Sequence, residues 1–372
     1  MADVYGRVRA TGAVVDRIGG HVAIEDLVID PPGPGEVLVR IAASGVCHSD
    51  LWARDNGNWG APFPMLLGHE GAGTVEAVGP NVDVPRVGEP VVLSWAVPCG
   101  ACGPCRRGVP RRCSHVWTQP PRVRRARDAA PLAGTLSLGT LATHTVVHAA
   151  QAIPMPAELP SREACLLGCG ISTGVGAAIQ TAKVWPGATV AVIGLGGIGL
   201  AAMQGARIAG AGRLIAVDVA SRKLAWARRF GATDTVDASA VDTVAAVREL
   251  TGDGVDFAFE ATGVPQVVSQ ALAMLDYAGT AVAIGVPPIP SVVTLDWNGS
   301  DRSAYPRKTS LLITDGGDPI PSADFPEMAH WALDGTLDLG GMISRELALT
   351  DLDEAFRAML AGEVIRSVVV LD

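Results

Sequence analysis

The sequence predicts an α/β protein of two parts, a β-rich domain and a doubly wound parallel sheet. Three observations carry that reading. The chain has 372 residues, more than one hydrophobic core usually spans. Its first half is filled by short alternating runs bounded by Gly and Pro. From about Cys169 onward, apolar strands alternate with Ala-rich or amphipathic stretches, the order that builds a parallel sheet with crossover helices.

In the first half, residues 36–41 (EVLVRI), 73–78 (GTVEAV) and 90–95 (PVVLSW) read as antiparallel strands. In the second, residues 189–193, 214–217, 255–259 and 280–285 read as strands of the parallel sheet. The segment PPIP at 287–290 interrupts the tail of that sheet domain, and beyond about Ser310 the pattern becomes irregular. Two helical runs, 324–333 and 352–361, and a closing apolar strand, 367–371, then predict a tail that returns to the first domain. The sequence holds no internal repeat and no low-complexity linker.

Composition removes several classes of function. Hydrophobic residues make up 48% of the chain and charged residues 18%, as in a folded globular protein. A net charge of −9 excludes a general nucleic-acid binder, which needs a basic surface to displace phosphate counterions. Residues 184–206 carry no charge and have the length of a membrane span, but six are Gly and one is Pro. Their order, a β-branched run, a glycine turn and an Ala-rich segment, reads as strand, turn and helix. No membrane association is expected. The N-terminus, MADVYGRVRATG, lacks the apolar core of a secretory signal, so the expected compartment is the cytoplasm. Seven cysteines without such a signal point to metal or catalytic use rather than disulfides.

The cysteines fall into two groups. Cys99, Cys102, Cys105 and Cys113 lie within fifteen residues, with Gly100, Gly103 and Gly108 available for tight turns between ligands. Four soft ligands and no His favour a closed, structural zinc, and a polar, turn-rich surround argues against four buried apolar cysteines. The second signal is distributed: Cys47 in GVCHSD, His69 followed by Glu70 in GHEGAG, and Cys169 in LLGCG. Each alone is weak, since a lone His is more often a satisfied polar residue and a lone Cys a core residue. Together, three ligands and an open fourth position would make a catalytic zinc.

A third signal follows the strand TVAVI: Gly194-Leu195-Gly196-Gly197-Ile198-Gly199, opening an Ala-rich helix, with Asp218 ending the next strand 24 residues after Gly194. The first glycine permits the tight turn, the second the approach of a pyrophosphate, the third close packing of helix on strand. Asp218 would bind the adenine ribose hydroxyls and disfavour a 2′-phosphate.

These motifs make the sequence resemble the zinc-dependent medium-chain alcohol dehydrogenases. The resemblance runs over nearly the whole chain: Cys47-His48-Ser49-Asp50, Gly68-His69-Glu70-x2-Gly73-x5-Gly79-x2-Val82, the four-Cys lobe, Gly168-Cys169-Gly170, the glycine motif, Asp218 and Gly362-x3-Arg366-Ser367. It is most similar to the class III branch of thiol-adduct formaldehyde dehydrogenases and nitrosothiol reductases, with their mycothiol-dependent actinobacterial relatives.

The resemblance implies a GroES-like catalytic domain (1–168) carrying a structural zinc lobe (about 95–115), a Rossmann NAD-binding domain (169–310) and a C-terminal return (311–372). It also implies a homodimer, or a homotetramer. Carried over by position, Cys47, His69 and Cys169 would bind catalytic zinc, with Glu70 near the metal and Ser49 contacting the substrate oxygen. His48 and Arg366 would contact the cofactor pyrophosphate, and Asp218 and Lys223 the adenosine ribose. The expected reaction is hydride transfer between NAD(H) and an alcohol or carbonyl held at zinc, with two zinc ions per chain.

One departure matters. Trp52 stands where many members have the histidine that ends a proton relay, leaving His48 as the nearest titratable group in sequence. Residues 122–127 (RVRRAR) read as a solvated loop or as a docking site for an anionic substrate tail or acidic protein. Arg222, close to Asp218, would soften a preference for NAD. His21, His115, His144, His148 and His330 sit in no motif. Two other functions remain open on sequence: a biosynthetic reductase of a large C=O or C=N substrate, and a noncatalytic zinc-containing binding protein.

Overall fold

A computed structural model describes residues 6–57, 59–115, 120–300 and 303–371. The chain folds into two compact units, Met1–Cys169 with Ile320–Asp372, and Gly170–Pro319.

In the first unit, β1 (Val8–Val15) and β2 (Val22–Ile29) form an antiparallel pair with Val8 opposite Ile29. Then follow β3 (Glu36–Gly45), α1 (His48–Asn56), β4 (Met65–Leu66), β5 (Glu70–Val78), β6 (Pro90–Leu93) and α2 (Gly103–Arg106). Next come β7 (Val123–Arg125), β8 (Ala133–Gly134), β9 (His144–His148), β10 (Ala152–Pro154) and α3 (Ser161–Ala164). These strands make a five-stranded sheet, β7-β2-β1-β4-β8, and share a second with strands from the chain's end. These strands are covered on both faces over much of their length: in β1, Ala13, Val14 and Val15 are buried in succession, and in β3 Val37, Leu38, Val39 and Ile41 are buried while Arg40 is exposed.

The second unit is a six-stranded sheet in which every pairing is parallel. After α4 (Gly170–Gly176) its elements are β11 (Thr189–Ile193), α5 (Gly197–Ile208), β12 (Arg213–Asp218), α6 (Ser221–Arg229), β13 (Asp234–Asp237) and α7 (Thr243–Thr251). β14 (Val255–Glu260), α8 (Pro265–Ala273), β15 (Leu275–Ala283), α9 (Ala304–Arg307) and β16 (Ser310–Ile313) complete it. The order β13-β12-β11-β14-β15-β16 is the doubly wound 3-2-1-4-5-6 arrangement, which reverses direction between β11 and β14. β11 is buried over Val190–Ile193, as a strand covered on both faces must be. The uncharged stretch at 184–206 resolves into a turn, β11 and most of α5. A side chain at Gly205 would sit 2.8 Å from Val175 Cα, so helices can approach closely there. Among the described residues no single helix is long and apolar enough to cross a membrane.

The chain then re-enters the first unit through α10 (Pro321–Leu333), β17 (Ile343–Leu347), α11 (Leu352–Leu360) and β18 (Arg366–Val370). β18 lies antiparallel to β3 and parallel to β17, completing the sheet β10-β6-β5-β3-β18-β17, with β9 also on β3. A core of Val46, Leu51, Met65, Leu67, Leu352, Phe356 and Val369 joins the two ends of the chain. The irregular pattern after Ser310 contains one more parallel strand, β16, so the return begins at Ile320 rather than at residue 311. β1 and β2 also lay outside the expected strands. Their alternation is diluted by Arg9, Thr11, Glu25 and Asp26, whose partners across the sheet cannot be seen in one segment.

An ion pair ties the four-Cys lobe to this return. Arg111 donates from both terminal nitrogens to Asp324 of α10, at 2.6 and 2.9 Å, and Asp324 also accepts the Ile320 N–H. The Asp324 side chain is 5% exposed and that of Arg111 29%, so part of the pair's strength is screened. Asp324→Ala should therefore lower unfolding free energy by about 1–3 kcal/mol in a urea titration of the metal-loaded protein. A loss below about 0.5 kcal/mol would show that the clamp is dispensable.

Candidate functional site

The site begins with a helix N-terminus. Val46 ends the β3 region, and Cys47 caps α1 in an extended conformation. Three residues on, Asp50 turns its carboxylate back and accepts the Cys47 N–H at 3.2 Å, the reciprocal half of a capping box. The same carboxylate accepts the Gly68 N–H at 3.1 Å and the His69 Nδ1–H at 3.0 Å. Gly68 is in the left-handed region (φ 98°), where a side chain would strike the Leu141 backbone nitrogen. Asp50 thus fixes both the helix that presents Cys47 and the turn that presents His69.

With Nδ1 donating, the lone pair of the imidazole lies on Nε2, which is buried with no hydrogen-bond partner among the described residues. Cys47, His69, Glu70 and Cys169 are all buried, and one donor atom from each lies within 4.8 Å of the others. Two thiols, an imidazole and a carboxylate around an orphaned ring nitrogen fit a transition metal such as zinc. A hydrogen bond from Cys169 holds the Cys47 thiol well below its ordinary value, against the effect of burial. The same contact, with burial, holds Cys169 well above it. Burial opposes the charged form of His69, but without a metal Asp50 and Cys47 more than offset this and raise it well above its ordinary value, so a metal at Nε2 would take the place of the second ring proton.

Glu70 opens β5 and is bonded to Arg366 of β18, both fully inside the unit. Burial raises the Glu70 carboxyl to about 7, with the Arg366 charge pulling the other way. The pair needs Gly45: a Cβ there would lie 2.1 Å from Glu70 Oε2.

The second donor set is Cys99, Cys102, Cys105 and Cys113, partly buried, again with donor atoms within 4.8 Å of one another. Cys102 and Cys99 sulfurs each lie 3.7 Å from that of Cys113, and the Cys102 N–H points to Cys99 Sγ at 3.3 Å. Backbone donors, chiefly at Ala101, lower the Cys99 thiol to about 6, while burial and the neighbouring sulfurs raise Cys105 to about 11. Four sulfurs would fill a tetrahedral site and leave no open position for a substrate.

In the second unit the glycine turn joins β11 to α5. Gly194 has φ 89°, and a Cβ at Gly199 would lie 1.8 Å from the Gly194 carbonyl oxygen, so both positions require glycine. A Cβ at Gly196, the N-cap of α5, would meet nothing within 4 Å; Gly197 is the first helical residue. This open helix N-terminus fits a phosphate group. Asp218 accepts the Leu195 N–H at 2.8 Å and the Ala220 N–H at 2.9 Å, with Lys223 Nζ at 3.7 Å. The carboxylate therefore also braces the glycine turn.

The structure gathers the distributed residues of the first unit but treats others differently. His48 is exposed at the start of α1, Ser49 is half-buried beside it, and Arg366 is engaged with Glu70. The arginine run is neither a bare solvated loop nor an open anion site. Arg122 bonds Glu36, Arg124 bonds Asp30, Arg125 bonds Asp16 and Asp128, and Arg127 bonds Glu25. Each cation meets carboxylates brought from β1, β2 and β3 or their flanks, which corrects the docking reading. Asp50 was visible only as a motif letter; its signal was the spacing Cys47-x2-Asp50, a capping-box pattern with Cys in the cap.

Comparison with known proteins gives the family. The family model described as "Alcohol dehydrogenase GroES-like domain" matches residues 33–157, and "Zinc-binding dehydrogenase" matches 197–333. Geraniol dehydrogenase of Castellaniella defragrans is 35% identical, the match covering all of both chains. S-(hydroxymethyl)glutathione dehydrogenase of Synechocystis sp. is 34% identical over 97% of this chain and all of its own. Among solved structures, benzyl alcohol dehydrogenase from Acinetobacter calcoaceticus superposes with a TM-score of 0.90 at 29% identity, covering 98% of this chain and all of that one. An alcohol dehydrogenase zinc-binding domain protein from Burkholderia ambifaria gives 0.92 at 34%, with the same coverage.

Because Asp50 orients the His69 imidazole without joining the donor set, Asp50→Asn should weaken zinc binding by the buried set by about 10- to 100-fold while leaving metal binding by the four-Cys set unchanged. Chelator competition with metal analysis measures both. Equal affinity in the variant and the parent would remove Asp50 from this role.

Proposed function

The chain belongs to the zinc-dependent medium-chain alcohol dehydrogenase family, and from that premise we propose that it interconverts a neutral alcohol and its aldehyde or ketone with NAD, using one catalytic and one structural zinc per chain. The observation that carries this reading is the buried set Cys47, His69, Glu70 and Cys169, with the His69 lone pair free. When bound, zinc supplies Lewis-acid chemistry and the nicotinamide supplies hydride chemistry.

The chain's own residues then have distinct tasks. Cys47, His69 and Cys169 hold the metal, Asp50 orients the imidazole, and Arg366 balances the buried Glu70. Ser49, on the first turn of α1, hydrogen-bonds the substrate oxygen. His48 and Arg366 are assigned to the cofactor pyrophosphate, Gly194, Gly196, Gly197 and Gly199 to its turn, and Asp218 with Lys223 to the adenosine ribose. Asp218 favours NAD because its carboxylate can accept from ribose hydroxyls and repels a phosphate. The catalytic part is assigned to 1–169 and 320–372, and the cofactor part to 170–319.

A neutral alcohol is preferred over a charged thiol adduct because the arginines at 122–127 are already matched by carboxylates. The names geraniol dehydrogenase and benzyl alcohol dehydrogenase among similar proteins support the same substrate class. Seven cysteines, none of them in a disulfide among the described residues, suit the reducing cytoplasm. The edge strand β16 exposes Leu311, Leu312 and Ile313, an apolar edge that supports a homodimer.

Metal analysis should give two zinc ions per chain. Cys47→Ser should lose about one of them and all activity while remaining folded, whereas Cys102→Ser should unfold the lobe. Equal unfolding of both variants would contradict the division into catalytic and structural sites.

Steady-state assays should show alcohol oxidation with NAD and no added thiol, with Asp218→Ala narrowing the NAD:NADP ratio of kcat/KM. Turnover only with glutathione or mycothiol would overturn the neutral-alcohol reading; turnover of an imine alone would replace it with the biosynthetic one.

A further inference from the structure

The second unit buries a carboxylate that neither donor set nor the glycine turn uses. Glu260 ends β14 and is 1% exposed. Its Oε1 accepts the Thr262 N–H at 2.5 Å, the Gly263 N–H at 2.9 Å and the Thr262 hydroxyl. Oε2 is buried with no hydrogen-bond partner, and among the described residues no cation bonds to the group: its three donors are all neutral. Burying a charge in this way is costly, so the position calls for a reason.

The place of Glu260 in the fold supplies one. β14 lies beside β11 where the strand order reverses, and doubly wound sheets bind ligands outside the carboxyl ends of the strands at that point. The Ala261 N–H reaches the Ile193 carbonyl at 2.9 Å, and the Glu260 carbonyl accepts the Ile284 and Gly285 N–H groups at 2.8 and 3.1 Å. Glu260 thus joins the ends of β11, β14 and β15. The turn it folds is packed against both neighbours: a Cβ at Gly194 would lie 2.6 Å from Thr262 Cγ2, and one at Gly285 would lie 2.1 Å from the Gly263 nitrogen. Such a sheet is built from two mononucleotide-binding halves. The β11–β13 half carries the glycine turn and its helix N-terminus, which suit phosphate, whereas the β14–β16 half presents a carboxylate.

We propose that Glu260 sets the balance between the two redox forms of the cofactor, its uncompensated negative charge favouring the cationic nicotinamide ring of NAD over the neutral ring of NADH. This rests on the dinucleotide reading of the second unit. Neighbouring strands lie about 4.8 Å apart, so a ring over the ends of β14 and β15 is within about 10 Å of the carboxylate. Opposite unit charges at that distance, with an effective dielectric constant of about 20, are worth about tenfold in affinity. A neutral ring gains nothing of the kind. Hydride leaving NADH carries off two electrons and leaves the positive ring that the carboxylate favours, so bound NADH becomes the stronger hydride donor toward a carbonyl carbon.

The test measures dissociation constants of the zinc-loaded protein for NAD, NADH and ADP-ribose, which lacks the ring, by calorimetric titration of the parent, Glu260→Gln and Glu260→Asp. Glu260→Gln keeps an oxygen acceptor for the turn and puts its amide nitrogen where Oε2 has no partner, so the charge goes and the turn stays. It should weaken NAD about tenfold and leave NADH and ADP-ribose within about threefold of the parent. Glu260→Asp retains the charge, so its NAD:NADH affinity ratio should stay within about threefold of the parent even where both affinities fall.

Equal weakening of NAD and NADH in Glu260→Gln, or an unchanged NAD affinity, would overturn the charge effect and leave the cofactor site standing. A parent that bound neither NAD nor NADH would overturn the dehydrogenase reading itself, and the charge effect with it. Should Glu260→Gln not fold, Ala261→Arg puts a cation beside the carboxylate and is expected to lower the NAD:NADH affinity ratio in the same way.

Discussion

The buried carboxylate of Asp50 is the constraint on which the buried donor set depends. It is fully enclosed and meets no arginine or lysine among the described hydrogen bonds; N–H groups of Cys47, Gly68 and His69 compensate its charge. Hydrogen bonds to a charged acceptor are worth roughly 1.5–3 kcal/mol each and cost more when one is left unmade. The three donors come from the start of a helix, a left-handed glycine turn and a ring nitrogen. Satisfying Asp50 therefore places two of the four buried donors, selects the His69 tautomer and turns the Nε2 lone pair toward the other donors. Substitution at any of the three donors would disturb the others.

A second buried charge makes the first unit depend on both ends of the chain. Glu70 sits at the head of β5 and Arg366 at the head of β18, 296 residues apart in sequence. Either ion alone would be too costly to bury; paired beside Gly45, they bond across strands that both neighbour β3. The four-Cys lobe reaches the same return segment by a different bond, Arg111 to Asp324. Two ion pairs of long sequence separation thus fasten the C-terminal segment to the part of the unit that carries the donors.

The arginines show how little charge means without its partners. The run at 122–127 is dense in cation, yet Arg125 is 8% exposed and sits among Asp16, Glu25 and Asp128. Those acids belong to segments more than ninety residues earlier or to the next turn, and β2 pairing with β7 brings them together. What looks like an anion site is a staple at the edge of a sheet. Trp52 and Trp59 show the converse, since two ordinary apolar letters become a stacked pair only when a left-handed turn folds one indole onto the other.

The sequence by itself determined whatever depends on local spacing. The four-Cys lobe, the glycine turn with its acid, the β11 strand and the two C-terminal helices are encoded over fifteen to thirty residues, where period and turn chemistry suffice. Cys47, His69 and Cys169 were legible only because their motifs could be matched as a set to a family, since no local rule joins residues 22 and 100 positions apart. Tertiary structure alone decided the role of Asp50, the engagement of Arg366 with Glu70, the neutralisation of the arginine run and the stacking of Trp59. In each case the deciding quantity is which opposite charge, free donor or flat face lies within a few ångströms. That distance is set by strand order and register, which one segment of sequence does not contain.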